Sequence, residues 1–123
     1  MITEDYVSFE TAKLLKEKGF REHCTTAYFP KKTPTVRIEC PTLQMAMKWL
    51  REIHKIDIWV ECHNSNRRYK VYIHSEQRGD EALFYEDSYE QACEAAIKYC
   101  LENLKILEAA KEITDDFRQA MKQ

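Results

Sequence analysis

The sequence of 123 residues predicts an α+β domain in which helices cover one face of an antiparallel sheet of three or more strands. Residues 56–62 and 69–74 alternate apolar and polar side chains, which is the pattern of strands with one buried face. Residues 42–54 and 88–104, on either side of them, carry apolar side chains at helical spacing. The unit therefore reads helix, strand, strand, strand, helix.

The first 40 residues (1–40) predict a short helix followed by an arm. Ser8 is the type of residue that caps a helix, and Gly19 stands where a glycine ends one, so a helix is expected over 9–18. Residues 24–40 contain two short β-favouring runs around a loop with two prolines. This pattern predicts either two short strands or an irregular arm.

Residues 41–104 form the predicted core unit of this single domain. Thr42 and Ser88 are expected to cap its two helices, and a third strand of undetermined facing is expected at 83–86. The apolar stripes of the helices are Leu43, Ala46, Met47, Leu50, Ile53 and His54, then Tyr89, Ala92, Cys93, Ala96, Ile97, Cys100 and Leu104. The residues predicted to be almost fully buried are Leu50, Ile58, Val60, Val71, Ile73, Ala96 and Ile97.

A second, narrower apolar stripe on the first of these helices is formed by Met45 and Trp49, so this helix should contact the sheet and one other element. Residues 105–123 predict a separate C-terminal helix after a bend or break near 103–106. The apolar seam of this helix is Ile106, Ala110, Ile113, Phe117 and Ala120. We expect this helix to dock either on its own domain or on a second copy of the chain.

The composition is that of an ordinary globular domain, with 44% hydrophobic and 33% charged residues. A net charge of −2 gives no long-range attraction for nucleic acid or for an anionic membrane. No apolar run approaches the roughly 20 residues of a membrane span, and the N-terminus lacks the apolar core of a signal peptide. This charge disfavours nucleic acid as a partner, and no membrane is expected.

Five cysteines without a Cys-x-x-Cys pair predict free thiols, with Cys62, Cys93 and Cys100 on apolar faces and buried. Free thiols are typical of a reducing compartment, so a cytoplasmic location is expected.

The residue types that carry catalysis or bind metals are present without the spacing that such sites need. His23-Cys24, Cys40 and Cys62-His63 have no short metal-ligand spacing, and adjacent residues on a strand point to opposite faces. No local sequence marks a nucleophile turn. We therefore expect no metal, no cofactor and no enzymatic activity.

The outward face of the sheet is the predicted interaction surface. If the alternating apolar residues pack on the helices, Trp59, Tyr72 and His74 share the opposite face, and Phe84 or Tyr85 joins them. A contiguous aromatic patch marks an interface when it is left bare. The alternative is that the N-terminal arm or the C-terminal helix covers it.

Basic residues near this face provide a second interpretation. Arg67, Arg68 and Lys70 are candidate phosphate contacts, although basic residues on loops are more often solvated surface.

Three stretches, 1–20, 40–53 and 88–104, resemble small uncharacterised proteins of Bacteroides phages and integrated mobile elements; they read MITEDYVSFETAKLLKEKGF, CPTLQMAMKWLREI and SYEQACEAAIKYCLENL. The resemblance implies a cytoplasmic accessory protein of a bacterial host's mobile element and implies no catalytic residue. It favours a non-enzymatic protein that binds another protein. One version of that role is an inhibitor of a host defence system, and a homodimer is one form of the interaction.

The order of elements in 41–104 is similar to that of a double-stranded-RNA-binding domain, which implies an RNA-binding module as the alternative function. Such a domain would place lysines at the start of its final helix, where this sequence has Glu90, Gln91 and Glu94. Only the turn with Arg67 and Arg68 has the positive charge that such a domain uses to bind phosphate. A shared architecture does not by itself imply a shared function.

Overall fold

The computed structural model describes residues 2–63 and 68–107, and of residues 82 and 83 the backbone only. It has the predicted α+β fold, with helices packed against an antiparallel sheet and a second, smaller sheet in the N-terminal region. No helix in these two ranges is both long enough and apolar enough to cross a membrane.

The N-terminal region begins with helix α1, Phe9–Glu17. The Ser8 side chain accepts a hydrogen bond from the Thr11 backbone N–H at 3.2 Å, which confirms the predicted cap. Gly19 follows the helix with φ of 102°, a conformation that side chains with a Cβ rarely adopt. Strands β1, Ala27–Tyr28, and β2, Ile38–Glu39, then pair antiparallel, so the arm contains two short strands.

Helix α2, Leu43–Ile53, is capped by Thr42, whose side chain accepts a hydrogen bond from the Met45 backbone N–H. Leu50 is fully buried, and Trp49 is buried on another side of the helix. The Trp49 ring packs edge-on against Phe20, with 5.5 Å between the centroids, so the second element predicted to contact α2 is the N-terminal region.

Two residues of the predicted apolar stripes are exposed instead. The exposed fraction is 61% for Ile53 and 47% for Met45. Ile53 is the last residue of α2, and the helix ends there before the chain turns into the sheet, so its side chain has no core to face.

The main sheet consists of β3, Ile56–His63, β4, Arg68–Ser75, and β5, Gly79–Glu86, in the order β3-β4-β5. All pairs are antiparallel. The third strand starts earlier than the predicted 83, because its first residues are glycine and charged residues that do not read as a strand. One extra residue of β5 is inserted opposite the part of β4 between Lys70 and Tyr72, which is a β-bulge.

Helix α3, Tyr89–Glu102, closes the core. The Ser88 side chain accepts a hydrogen bond from the Gln91 backbone N–H at 3.1 Å, as the capping box predicts. Its buried residues are Ala92, Cys93, Ala96, Ile97, Cys100 and Leu101. Tyr89, predicted to be buried, is 37% exposed, because it stands in the first turn at the margin of the sheet.

The helix ends at Asn103, and a further helical turn follows over 104–107, so the predicted break is present. Leu107 is buried, whereas Ile106, the first residue of the predicted seam, is half exposed. The rest of that seam, and the C-terminal helix that it predicts, lie outside the described residues.

The core between the sheet and the helices contains most of the residues predicted for it. Leu50, Val71, Ile73, Ala96 and Ile97 are 0% or 1% exposed, which confirms those five predictions.

Three predictions for β3 were wrong. Ile58 and Val60 are only partly buried, and Cys62 is exposed. All three lie on an edge strand, which has a neighbouring strand on one side only in the part of the chain that the structure describes.

Helix α1 is held on α3 by a carboxylate. The Ser8 backbone N–H and the Thr11 hydroxyl donate hydrogen bonds to Glu94 Oε1 at 3.0 Å and 2.7 Å. The Lys98 ammonium lies 3.0 Å from a Glu10 carboxylate oxygen, which adds an exposed ion pair to the same contact. The N-terminal region therefore packs on the helical side of the main sheet.

The cysteines provide a direct test of this packing. Burial raises the pKa of the Cys93 thiol to about 11 and that of Cys100 to about 12, so neither forms a thiolate near neutral pH. We expect a thiol reagent, followed by mass spectrometry, to label exposed Cys62 in the native protein and to label Cys93 and Cys100 only after unfolding. Rapid native labelling of Cys100, or a disulfide to it, would contradict the position of α3.

Candidate interaction surface

The outer face of the main sheet carries three aromatic side chains, Trp59, Tyr72 and Tyr85, which we call the aromatic surface. Trp59 is paired with Tyr72 across β3 and β4, and residues directly opposite each other in an antiparallel pair lie on the same face. Their rings are stacked, with 5.1 Å between the centroids and 6° between the planes. Trp59 is 38% exposed and Tyr85 is 42% exposed.

Tyr85 joins this face because of its pairing with Lys70 on β4. Phe84, the other residue considered for this position, packs on the core and contacts the Tyr99 ring edge-on. His63 also lies at the aromatic surface, with its ring 5.6 Å from that of Tyr85.

Two basic residues contact the same rings. The Lys70 ammonium lies 5.3 Å from the Tyr72 ring centre and 5.4 Å from that of Tyr85. A hydrogen bond with the Tyr85 side chain raises the pKa of Lys70, so its ammonium stays charged. The Arg68 guanidinium lies 5.9 Å from the Tyr85 ring centre and 3.7 Å from an Asp87 carboxylate oxygen. Both cations are thus already in contact with groups of this chain.

His74 lies on the same face but apart from the ring stack. Its Nδ1 is 2.5 Å from Oδ1 of Asp80, the residue opposite it on β5. Asp80 was not singled out from the sequence, because the residue opposite His74 depends on the register of β5. Arg67, the remaining candidate phosphate contact, lies outside the described residues.

Of the two segments expected as covers for the aromatic surface, the N-terminal arm is on the other side of the sheet. Helix α1 packs against α3 and β2, and the hydroxyl of Tyr28 in β1 donates a hydrogen bond to the Val7 carbonyl at 3.1 Å. The N-terminal arm therefore does not cover the aromatic surface. The C-terminal residues from 108 onward lie outside the described residues.

A groove of about 580 Å³ lies on the helical side, between the N-terminal region and α3. The carboxylates that line it belong to Asp5, Glu86, Glu90 and Glu94, and Lys98 lines it as well. Lys98 is already paired with Glu10. The start of α3 thus presents negative charge where a double-stranded-RNA-binding domain would present lysines.

Of the positions considered for a metal site, His23, Cys24 and Cys40 line one surface pocket, whereas Cys62 and His63 are at the end of β3. Within residues 2–63 and 68–107, no three His, Cys, Asp or Glu side chains are grouped so that they could hold a metal ion. Cys40 is buried, Cys62 is exposed on β3, and His23 lies 3.5 Å from a Glu39 carboxylate oxygen. Burial raises the pKa of Cys24 and of Cys40, so neither thiol is activated.

Comparisons of the chain with models of protein families, with curated proteins and with solved structures found no match. A functional assignment therefore depends on the chemistry of the chain's own surfaces.

Proposed function

We propose that this chain is a non-enzymatic protein that binds a partner protein through the aromatic surface. The observation that carries the proposal is the stacked, partly exposed pair of Trp59 and Tyr72 with Tyr85 beside it. Tryptophan, tyrosine and arginine are the residues that most often dominate the binding energy of protein interfaces. Rings that are already packed on each other also lose little conformational entropy on binding.

The arrangement of charge suggests the chemistry of the partner. Lys70 lies between Tyr72 and Tyr85, and Arg68 lies beside Tyr85, so one end of the aromatic surface is basic. A partner that fits would place apolar side chains over Trp59 and Tyr72 and a carboxylate near Lys70. Such a carboxylate would add electrostatic complementarity, which favours the correct partner over others.

The biological setting in this proposal is a phage or an integrated mobile element, with the chain as an accessory protein acting in the host cytoplasm. The support is the resemblance of three sequence stretches to proteins of such elements. Inhibition of a host defence system is the version that we favour. That version rests on the same resemblance, because the acidic groove beside Glu90 and Glu94 lies on the other side of the sheet from the aromatic surface.

Replacing Trp59 and Tyr85 together by Ala should abolish capture of the partner from infected or lysogenic host cells. Truncation of aromatic residues at the centre of an interface commonly costs more than about 2 kcal/mol, roughly thirtyfold in affinity. Once the captured protein is identified by mass spectrometry, the affinities of the variant and of the unaltered chain for it can be measured with purified components.

The matched control is Ile53→Ala, which removes an exposed apolar side chain from α2, away from the aromatic surface. We expect this variant to bind as the unaltered chain does. If the Trp59 and Tyr85 variant retains full affinity while folding normally, the interface lies elsewhere.

An RNA-binding module is the second candidate, because two cations beside partly exposed rings resemble the sites that bind single-stranded nucleic acid. Two observations disfavour it. The rings of Trp59 and Tyr72 are stacked, so each covers a face of the other on which a base would have to stack. The Arg68 guanidinium is 3.7 Å from an Asp87 carboxylate oxygen, and that negative charge would repel a phosphate. A salt titration with duplex and single-stranded RNA separates the candidates, since phosphate contacts would give a steep salt dependence.

A further inference from the structure

Strand β3 has an unprotected edge. It runs for eight residues, Ile56–His63, in unbroken register with β4, and no other strand among the described residues pairs with its second side. Proteins usually protect such an edge with a proline, a bulge or charged residues, above all lysine. The sequence IDIWVECH contains no proline and no lysine, and its register shows no bulge.

The other edge, β5, is protected by contrast. Its pairing with β4 contains a bulge, which twists an edge away from a regular partner. Its charged residues, Asp80, Glu81 and Glu86, are all acidic, and so are Asp57 and Glu61 on β3, so the bulge is the feature that distinguishes the two edges. The difference between the two edges indicates that β3 is the edge kept open.

The residues of β3 that face the helices are also incompletely covered. Ile58 and Val60 are only partly buried, whereas Val71 and Ile73, directly opposite them on β4, are 0% and 1% exposed. A further strand alongside β3 would cover the open flank of Ile58 and Val60 and would satisfy the backbone groups of the edge.

We propose that a second copy of this chain supplies that strand, with the two β3 strands antiparallel about a twofold axis at Val60. In this register Asp57 lies opposite His63 of the second copy, and Trp59 lies opposite its Glu61. A carboxylate thus lies opposite a histidine twice in the dimer. Ile58 lies opposite Cys62 of the second copy, which covers apolar surface on both chains.

Neighbouring registers fit less well. An axis at Trp59 would place Asp57 opposite Glu61 twice, and like charges directly opposite each other destabilise a strand pair. An axis at Glu61 would place the two Glu61 side chains opposite each other. A shift by one residue would turn the helical face of one copy toward the outer face of the other. Among the axes at Trp59, Val60 and Glu61, charge complementarity therefore selects the one at Val60.

This dimer uses the edge of the sheet, and Trp59 of the aromatic surface lies at that edge because it belongs to β3 itself. The dimer would therefore bring the two aromatic surfaces side by side. It does not rest on the proposed function, since its tests measure self-association and not the capture of another protein.

The first test is a charge exchange, followed by sedimentation velocity over a concentration series. The unaltered chain should form dimers. Asp57→Lys places a cation opposite His63, and His63→Asp places two carboxylates opposite each other, so each change should raise the Kd of the dimer about tenfold. The double variant places an ammonium opposite a carboxylate at both places and should recover the original Kd.

Glu76→Lys, in the turn between β4 and β5, is the matched control for the change in net charge and should leave the Kd unaltered. A chain that stays monomeric at about 1 mM would overturn the proposal. Dimers whose Kd does not respond to the two single changes, or is not restored in the double variant, would overturn it as well.

The second test fixes the register by a disulfide. Ile58→Cys should form a bond with Cys62 of the second copy under mild oxidation, giving a covalent dimer that mass spectrometry maps. The same two positions within one chain are about 13 Å apart along the strand, too far for an internal bond. Ile58→Cys combined with Cys62→Ser is the control and should not crosslink. Failure of the first variant to link these positions in a sample shown to be dimeric would overturn the register.

Discussion

Replacing Ile73 by Ala, or Leu50 by Ala, is expected to lower the free energy of unfolding by about 2–5 kcal/mol at either site. Ile73 lies on the central strand and is 1% exposed, and Leu50 on α2 is fully buried. Each substitution removes apolar contacts and leaves a cavity between the sheet and the helices, which relax only partly. Chemical denaturation monitored by circular dichroism measures the loss.

Ile53→Ala is the matched control, because Ile53 is on the same helix as Leu50 but 61% exposed. The loss of unfolding free energy for Ile53→Ala should stay within about 0.5 kcal/mol, as for most surface substitutions. The loss of unfolding free energy for Ile58→Ala should lie between that of Ile53→Ala and that of Leu50→Ala, since Ile58 is partly buried and faces the core from the open edge. Losses below about 0.5 kcal/mol at both Ile73 and Leu50 would mean that the sheet faces the other way.

The parts of the fold that could be predicted from the sequence are those that local interactions determine. Ser8, Thr42 and Ser88 each cap a helix through a hydrogen bond to a backbone N–H three residues on. Gly19 adopts the positive φ that its position after α1 suggested. These contacts depend only on residues that are close in the sequence, so the sequence pattern alone was sufficient to predict where these helices begin and where α1 ends.

Burial along β3 could not be predicted in the same way. The alternation of Ile56, Ile58 and Val60 indicates which side faces the helices, and Ile56 is fully buried. How completely the other two are covered depends on whether the strand is central or at an edge, and strand order is a non-local property. The exposed position of Cys62 has the same cause, at the far end of the same edge strand.

The aromatic surface was partly predictable for a related reason. Side chains alternate between the two faces along a strand, and the apolar residues of β3 and β4 face the helices. Trp59 and Tyr72 therefore lie together on the outer face, whatever the register between the strands. The stacking of their rings requires these two residues to be directly opposite each other. Tyr85 and Asp80 depend on the register of β5 as well, which the bulge shifts by one residue.

Trp49→Ala should be the other strongly destabilising substitution, with a loss of about 3–5 kcal/mol in the free energy of unfolding. Trp49 is 8% exposed and lies between two rings, with centroids 5.5 Å from Phe20 and 4.6 Å from His54. Phe20 follows the glycine that ends α1, so the tryptophan links α2 to the N-terminal region. Its removal should loosen that region first, and limited proteolysis should cut the variant between residues 20 and 40.

The chain contains two tryptophans, and the other one provides the comparison. Trp59→Ala removes a side chain of the same size from the outer face, where it is 38% exposed, so its loss should be clearly smaller. Trp49→Phe keeps an aromatic ring against Phe20 and should recover part of the stability. If Trp49→Ala and Trp59→Ala destabilise the chain equally and neither opens the N-terminal region to protease, Trp49 does not hold that region on α2.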